Sequence, residues 1–529
     1  MKALKWIRVV VAVGLFTLVT LFFLGLGGGC GLLEKIQVGP ALIGVTLLPS
    51  LLIFLGWMLL TCLLGRIFCS MVCPLGILQD ILGRIVKLVR PRRRFSLRPE
   101  RRGFRVAVLV AFVLLVMFQM TSLVSLIEPY GVFGRIATQL LQPVAEWGNN
   151  HLADWLGTDG AVVLFKREIL VRSVSGFAVA ASSLVLLLGL VAWKGRLFCN
   201  LVCPVGTILW VASKKSVFQL AIDADKCVKC GLCSGVCKAE CLDGKGRMLD
   251  NARCVRCFNC IGACAKGAIS LRPAWSLPKS EKKMAEGRRE VVLGLAKAAG
   301  GVAAAGVILG GRNVLGDGAC PDVIVPPGAS EDLLRARCTA CGLCVAQCPR
   351  KVLAPAGFTE FGPLGLMMPK MDFSRGFCDP NCTLCGEVCP TGAILPLTRE
   401  TKKNAKIGQA AFNRTACLAC TEKIPCGLCE RRCPQKAIAL KEEETKDGEK
   451  TVKIQVPVVD GAKCTGCGAC ENYCPSHAMK VKSLSAARAK GRNVFRERMR
   501  ASRAAAASGR FPPCCLMVGL PMMVLPSMR

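Results

Sequence analysis

Apolar residues fall along this chain in two regimes. Over the first two hundred positions they run almost unbroken through four stretches, Trp6–Leu26, Ala41–Leu64, Phe104–Ile127 and Val174–Trp193. Each is close to the ~20 residues that carry a helix across a bilayer core of about 30 Å. Beyond Trp193 the apolar runs shorten and closely spaced cysteines break them up, the pattern of small loop-rich domains. Basic residues set the orientation of the four spans. Lys2 to Arg8, and the run from Arg84 to Arg105 with Arg90-Pro91-Arg92-Arg93-Arg94 inside it, belong in the cytoplasm by the positive-inside rule. Residues 27–40 and 128–172 then face outward, and the fourth span returns the chain to the cytoplasm at Lys194. A signal peptide is the rival reading of residues 1–30, which end in Gly27-Gly28-Gly29-Cys30. Three further spans and the lack of a small-residue cleavage pattern favour an uncleaved anchor.

The pattern divides the chain into five parts. Residues 1–215 form a four-span helical membrane domain, and residues 216–275 a first cysteine-rich domain of ferredoxin-like α+β type. Residues 276–315 hold a basic linker, Lys279 to Arg289, and a mildly apolar segment, Val291–Gly311, which supplies a fifth crossing as a tether. Residues 316–485 form a second, longer cysteine-rich α+β domain. Residues 486–529 are a basic tail, Arg488 to Arg510, that ends in Phe511–Pro526, too short and proline-broken to span.

Composition sharpens this. Hydrophobic residues make up 52% of the chain and mean hydropathy is +0.46, as membrane segments require, yet the net charge is +35. Its 35 cysteines decide the chemistry. They stand two or three residues apart, often ending in Cys-Pro, a spacing that serves metals better than disulfides. Only two histidines exist, His151 and His477, and no Cys-x-x-Cys-His occurs. No haem is expected, and iron–sulfur clusters remain.

Cys227, Cys230, Cys233 and Cys237 form one regular run, and Cys254, Cys257, Cys260 and Cys264 a second. In bacterial-ferredoxin runs three cysteines on a tight loop bind three irons of one cubane, and the fourth reaches the other cluster. Cys264 therefore completes the first trio, and Cys237 the second. Zinc is the competing reading, but structural zinc sites use separated ligand pairs. The second domain has four runs. Cys338, Cys341, Cys344, Cys348 and Cys464, Cys467, Cys470, Cys474 are regular; Cys378, Cys382, Cys385, Cys389 and Cys417, Cys426, Cys429, Cys433 are stretched. Cys420 is an alternative to Cys417. The expected pairing is outer run with outer and inner with inner. Six [4Fe-4S] clusters follow. Cys30, Cys62, Cys241 and Cys320 fit no run and read as packing residues.

An internal repeat supplies a possible seventh. Gly65-Arg66-Ile67-Phe68-Cys69-Ser70-Met71-Val72-Cys73-Pro74-Leu75-Gly76 recurs as Gly195-Arg196-Leu197-Phe198-Cys199-Asn200-Leu201-Val202-Cys203-Pro204-Val205-Gly206, each after a span. If the copies meet about a pseudo-two-fold axis, Cys69, Cys73, Cys199 and Cys203 converge near the inner membrane surface as cluster ligands. The plainer alternative is a pair of structural turns.

Arg288-Arg289 before the segment 291–311 is similar to a twin-arginine export signal. That route suits clusters assembled in a reducing cytoplasm, and it agrees with the topology in placing the second domain in the periplasm. The chain as a whole resembles a fusion of two families. Residues 1–275 resemble the NapH/MauN quinol dehydrogenase membrane component, and residues 280–482 the NapG/MauM exported ferredoxin-type protein. The resemblance implies a bacterial inner-membrane polyferredoxin carrying electrons from quinol to a periplasmic partner such as a cytochrome or molybdoenzyme. The membrane repeat also resembles that of NosR and CcoG, which implies the alternative of a redox accessory factor for a metalloenzyme, fed by a cytoplasmic donor. Glu128, in Glu128-Pro129-Tyr130, is either a proton acceptor for quinol or an ordinary interfacial residue. The basic tail suits lipid headgroups or an acidic partner, not nucleic acid.

Overall fold

The structure, a computed structural model, describes residues 2–26, 31–44, 48–90, 95–97, 99, 101–118, 120–155, 173–276, 323–357, 360–361, 365–447 and 450–484. The twin arginine, the segment 291–311, the tail, Cys30 and Cys320 lie outside the described residues.

Among the described residues twelve α-helices build the N-terminal region: α1 (Lys2–Phe23), α2 (Gly31–Lys35), α3 (Val38–Ile43), α4 (Leu48–Leu64), α5 (Phe68–Met71), α6 (Pro74–Val89), α7 (Arg102–Met117), α8 (Thr121–Ser125), α9 (Pro129–Ile136), α10 (Gln142–Trp155), α11 (Val174–Lys194) and α12 (Pro204–Ser213). Among the described residues two are long and apolar enough to cross a membrane, Ala3–Phe23 and Val174–Lys194. The other two expected spans carry shorter described helices, α4 with 17 residues and α7 with 16. The run 41–64 carries α3 up to Ile43 and α4 from Leu48 on, with Pro49 in the first turn, where its missing amide hydrogen costs nothing. The run 104–127 ends as α7 at Met117, and polar Thr121 and Ser125 turn the chain into the short α8.

The cysteine-rich domains are loops pinned by small antiparallel sheets. Phe218–Ile222 pairs with Ile269–Pro273, closing the first domain. In the second, Leu353–Pro355 pairs with Pro369–Met371, and Gln409–Phe412 with Met479–Lys482. A ten-residue hairpin, Ile438–Asp447 with Lys450–Val459, extends beyond them.

The two cysteine-rich domains dock at opposite ends of α1. At its start, Gly262 of the first domain lies against the Lys5 side chain. The end of α4 is tied to the same domain: Arg256 Nε donates to the Leu64 carbonyl at 3.1 Å, and the Val217 amide to the Cys62 carbonyl at 2.8 Å. At the far end, Gln347 Nε2 of the second domain donates to the Phe22 carbonyl at 2.6 Å. Thr121 Oγ1 donates to the Arg335 carbonyl at 2.6 Å, and Gly134 of α9 packs on the Cys341 carbonyl, where a side chain would not fit. Seventeen residues at 1.5 Å each separate Lys5 from Phe22, about 26 Å. One continuous buried core joins the ends, containing Cys254, Cys257, Cys260, Cys69, Cys73, Cys199, Cys203, Phe133, Tyr130 and Cys341.

Candidate cluster-binding sites

The Cys-x-x-Cys loops share one backbone device. The residue before the second cysteine is left-handed at Lys229 (φ 53°), Arg256 (52°), Ala340 (47°) and Gly466 (75°). The residue after it is left-handed too, at Gly231, Phe258, Gly342 and Gly468. This double reversal curls three cysteines about one point. Four of these residues have side chains, at a cost of order 1–3 kcal/mol each, the kind of strain that collects at ligand clamps. A second device follows each run. Glu240, Gly267, Lys351, Gly392, Lys436 and His477, each three residues past a fourth cysteine, are all left-handed. The turn sends a backbone amide back to sulfur: Ala268 to Cys264 at 3.3 Å, Ala437 to Cys433 at 3.3 Å, Ala478 to Cys474 at 3.2 Å. His477 is thus a turn residue.

Tertiary structure gathers the thiols at each site, three from one run at the first and four that cross between runs at the others. In the first domain Cys227 and Cys230 approach Cys233 (site I), while Cys237 joins Cys254, Cys257 and Cys260 (site II), as the spacing predicts. In the second domain four small cavities each have four cysteines in their walls. Cys338, Cys341 and Cys344 share one with Cys389 (site IV), and Cys378, Cys382 and Cys385 one with Cys348 (site V). Cys464, Cys467 and Cys470 line one with Cys433 (site VI), and Cys417, Cys426 and Cys429 one with Cys474 (site VII). Pairing is therefore between neighbouring runs, not outer with outer. The sheet of Leu353–Pro355 with Pro369–Met371 lies between the runs of the first pair, and that of Gln409–Phe412 with Met479–Lys482 brackets the second. The two pairs meet where the Cys378 amide donates to the Cys467 carbonyl at 2.8 Å, so site V adjoins site VI.

The internal repeat also converges. Cys69, Cys73, Cys199 and Cys203 are all buried, and Cys203 lies within electrostatic reach of the other three (site III). The copies are related by a swapped exchange. Arg196 Nη1 donates to the Cys69 carbonyl at 2.7 Å, and Arg66 Nη2 to the Cys199 carbonyl at 3.1 Å. Gly76 and Gly206 each face the carbonyl of their own copy's first cysteine so closely that a side chain would collide. Pro74 and Pro204 start helices α6 and α12, and the Gly206 amide at that N-terminus donates to Cys203 Sγ at 3.3 Å. Gln79 Nε2 donates to Cys199 Sγ at 3.1 Å.

These donors fit a [4Fe-4S] cluster. Burial pushes Cys341 and Cys385 up to about 12 and Cys467 up to about 11, and neighbouring thiols add to the push. Thiolates in such surroundings need a cation as partner. Among the described residues no three His, Cys, Asp or Glu side chains gather tightly enough to share one ion. A zinc tetrahedron needs sulfurs ~3.8 Å apart, whereas a cubane, each thiolate on its own iron, takes a wider set.

Two contacts escaped the sequence reading. Cys241 is buried in the core, as a packing residue is, and its sulfur also lies 3.6 Å from Cys237 Sγ. It falls outside every run spacing, so no local signal marks it. Glu34 is fully buried and accepts from the Tyr130 hydroxyl, while its Oε1 has no partner among the described residues. Glu128, expected as either a proton acceptor or an interfacial residue, is buried and caps α9, accepting from the Tyr130 amide at 2.9 Å and from the Gly131 amide. Cys62 is exposed.

Comparison with known proteins agrees with this chemistry. A family model described as a 4Fe-4S binding domain matches residues 46–96 and 175–221, one copy of the internal repeat in each, and a 4Fe-4S dicluster domain matches 424–478. The methylamine utilization ferredoxin-type protein MauM of Methylophilus methylotrophus is 37% identical over 27% of this chain, and the chain spans 62% of that relative's length. MauM of Methylorubrum extorquens is 36% identical over 35% of this chain and 83% of its own length. The ferredoxin-type protein NapG of Escherichia coli is 32% identical over 40% of this chain and 90% of its own. The chain belongs to the MauM/NapG family of ferredoxin-type proteins. It is an iron–sulfur electron-transfer protein. No solved structure matches it.

In this MauM/NapG-type chain Cys417 lines site VII and Cys420 does not. Cys417→Ser is expected to remove about four iron atoms per chain, and Cys420→Ser none, by iron and sulfide analysis of anaerobically purified protein. Equal losses would remove the distinction.

Proposed function

We propose that this protein is a membrane-bound electron conduit of the bacterial inner membrane. In this reading α1, α4, α7 and α11 span the bilayer as a NapH/MauN-like component fused to the MauM/NapG-like part. Residues 216–275 hold two clusters in the cytoplasm, with Cys227, Cys230, Cys233 and Cys264 at site I. Residues 316–485 hold four in the periplasm, and Cys69, Cys73, Cys199 and Cys203 hold a seventh. Quinol oxidised in the helical domain supplies electrons, and the second domain hands them to a periplasmic cytochrome or molybdoenzyme. The carrying observation is the docking of the two domains at opposite ends of α1, with cysteine quartets following one another from either end. Iron and sulfide analysis with EPR tests it: about seven cubanes are expected, and zinc or no metal would refute it.

Quinol oxidation releases protons, and Glu34 is suited to take one. Burial raises its carboxyl to about 7, against the lowering effect of the Tyr130 hydroxyl. The carboxylate is the accepting form, and its population grows as pH rises through that value. Oxidation of a quinol analogue should therefore speed up between pH 6 and 8 in the wild type. In Glu34→Gln it should be at least about tenfold slower and flat with pH, within the usual range of general-base effects. A variant that keeps the wild-type pH profile would exclude Glu34.

A redox accessory role fed from the cytoplasm has one observation in its favour: Cys230 of site I is exposed, as entry of electrons from a soluble donor requires. Clusters that stay oxidised under a quinol analogue would decide for that role.

A further inference from the structure

The two cysteine-rich domains stand about 26 Å apart along α1, and electron tunnelling falls exponentially with distance, so one jump between them is too slow to be useful. Site III lies between them. Phe68, beside Cys69, packs on Trp57 with ring centroids 4.8 Å apart, two helical turns before the end of α4, so the repeat folds back among the helices from that end.

Toward the first domain, site III joins site II through short bonded contacts. Arg196 bridges the Cys69 carbonyl and Asp80 Oδ1 (2.8 Å), and Asp80 meets Lys238 Nζ at 2.7 Å, next to Cys237. Asn200, next to Cys199, donates to the Ala239 carbonyl at 2.9 Å. Toward the second domain, α6 begins at Cys73 and packs on α9, and α9 presents Gly134 to the Cys341 carbonyl. Phe133 of α9 meets Phe16 and Phe23 of α1 at 5.4 and 5.8 Å between centroids.

We infer that Cys69, Cys73, Cys199 and Cys203 bind a cluster that serves as the midway station between sites II and IV, making the helical domain an electron path between the two faces that needs no quinone. The inference rests on the cluster reading above and goes beyond its quinol donor. One electron leaves a reduced soluble one-electron donor on the side of site I, and one electron reduces a one-electron acceptor on the side of site VII. No proton or bond changes hands, so the balance is complete.

The test uses the full chain in quinone-free liposomes, with dithionite outside and cytochrome c trapped inside. Wild-type protein is expected to reduce the trapped cytochrome, and protein-free liposomes not. The Cys69→Ser, Cys199→Ser double variant should lose about four iron atoms per chain, keep the EPR signals of the other six clusters, and slow the crossing at least a hundredfold. Those retained signals show that it has folded. A gentler variant, Gln79→Leu, removes the hydrogen bond to Cys199 Sγ; it should keep all its iron and lower the midpoint potential of one cluster only. Crossing undiminished in the double variant, or a double variant with undiminished iron, overturns the inference while leaving the six-cluster reading intact. Wild-type protein without clusters overturns that reading itself.

Discussion

Replacing Cys389 with serine is expected to abolish the cluster of Cys338, Cys341 and Cys344, not the cluster of its own run. Cys389 shares a cavity with those three, while Cys378, Cys382 and Cys385 close around Cys348. Of the four sites in the second domain, site IV is the one against the helical domain, since Gly134 lies on the Cys341 carbonyl. Its loss should cut electron delivery to sites V, VI and VII by orders of magnitude while those clusters remain bound. Cys348→Ser is the mirror experiment and should spare site IV. Iron analysis gives the same loss of about four atoms for both variants. EPR of partly reduced samples separates them, because different clusters vanish. If both variants lost the same signal, the crossed assignment would be wrong. Reduction of the distal clusters by a quinol analogue should fail in both variants, but only Cys389→Ser should block transfer at the first step out of the helical domain.

Interactions of short range leave their mark in local sequence, and those of long range do not. Three cysteines within seven residues grip one cluster, so the trios at Cys254, Cys338 and Cys464 could be read locally. Which fourth cysteine completes a trio depends on how neighbouring runs pack. The crossing of Cys237 was foreseen from ferredoxin spacing; the adjacent-run pairing of the second domain was not. Site III was visible as a repeat because both copies keep Gly-Arg ahead of Phe-Cys. The exchange of Arg66 and Arg196 between copies has no trace in either copy alone. Glu34 was invisible for the same reason: its partner Tyr130 is 96 residues away. Hydropathy drew two of the apolar runs longer than their described helices, α4 with 17 residues and α7 with 16.

Asp80 shows how much one buried charge can hold together. Its carboxylate meets Arg8 Nη2 at 2.8 Å, Arg196 Nε at 2.8 Å and Lys238 Nζ at 2.7 Å, with its side chain 6% exposed. These cations come from α1, from the second copy of the repeat and from the site II loop, so Asp80 ties three parts of the molecule at one point. Asp80→Asn keeps the shape and leaves three cations facing a neutral amide. Breaking a buried ion pair from one side costs about 3–5 kcal/mol, and a loss of that order is expected in denaturant unfolding followed in detergent. Burial pushes the carboxyl upward, but Arg196, Lys238 and Arg8 outweigh it and hold it well below the usual carboxylate range. A group whose pKa is lower folded than unfolded contributes fully above its unfolded value of about 3.9 and loses that contribution as pH falls further. The gap between wild type and variant should therefore stay constant from pH 5 to 8 and narrow only in acid. The first cysteine-rich domain should also become more open to protease in the variant, because Lys238 loses its anchor. A gap that changed between pH 6 and 8 would mean that another group, not Asp80, carries this junction.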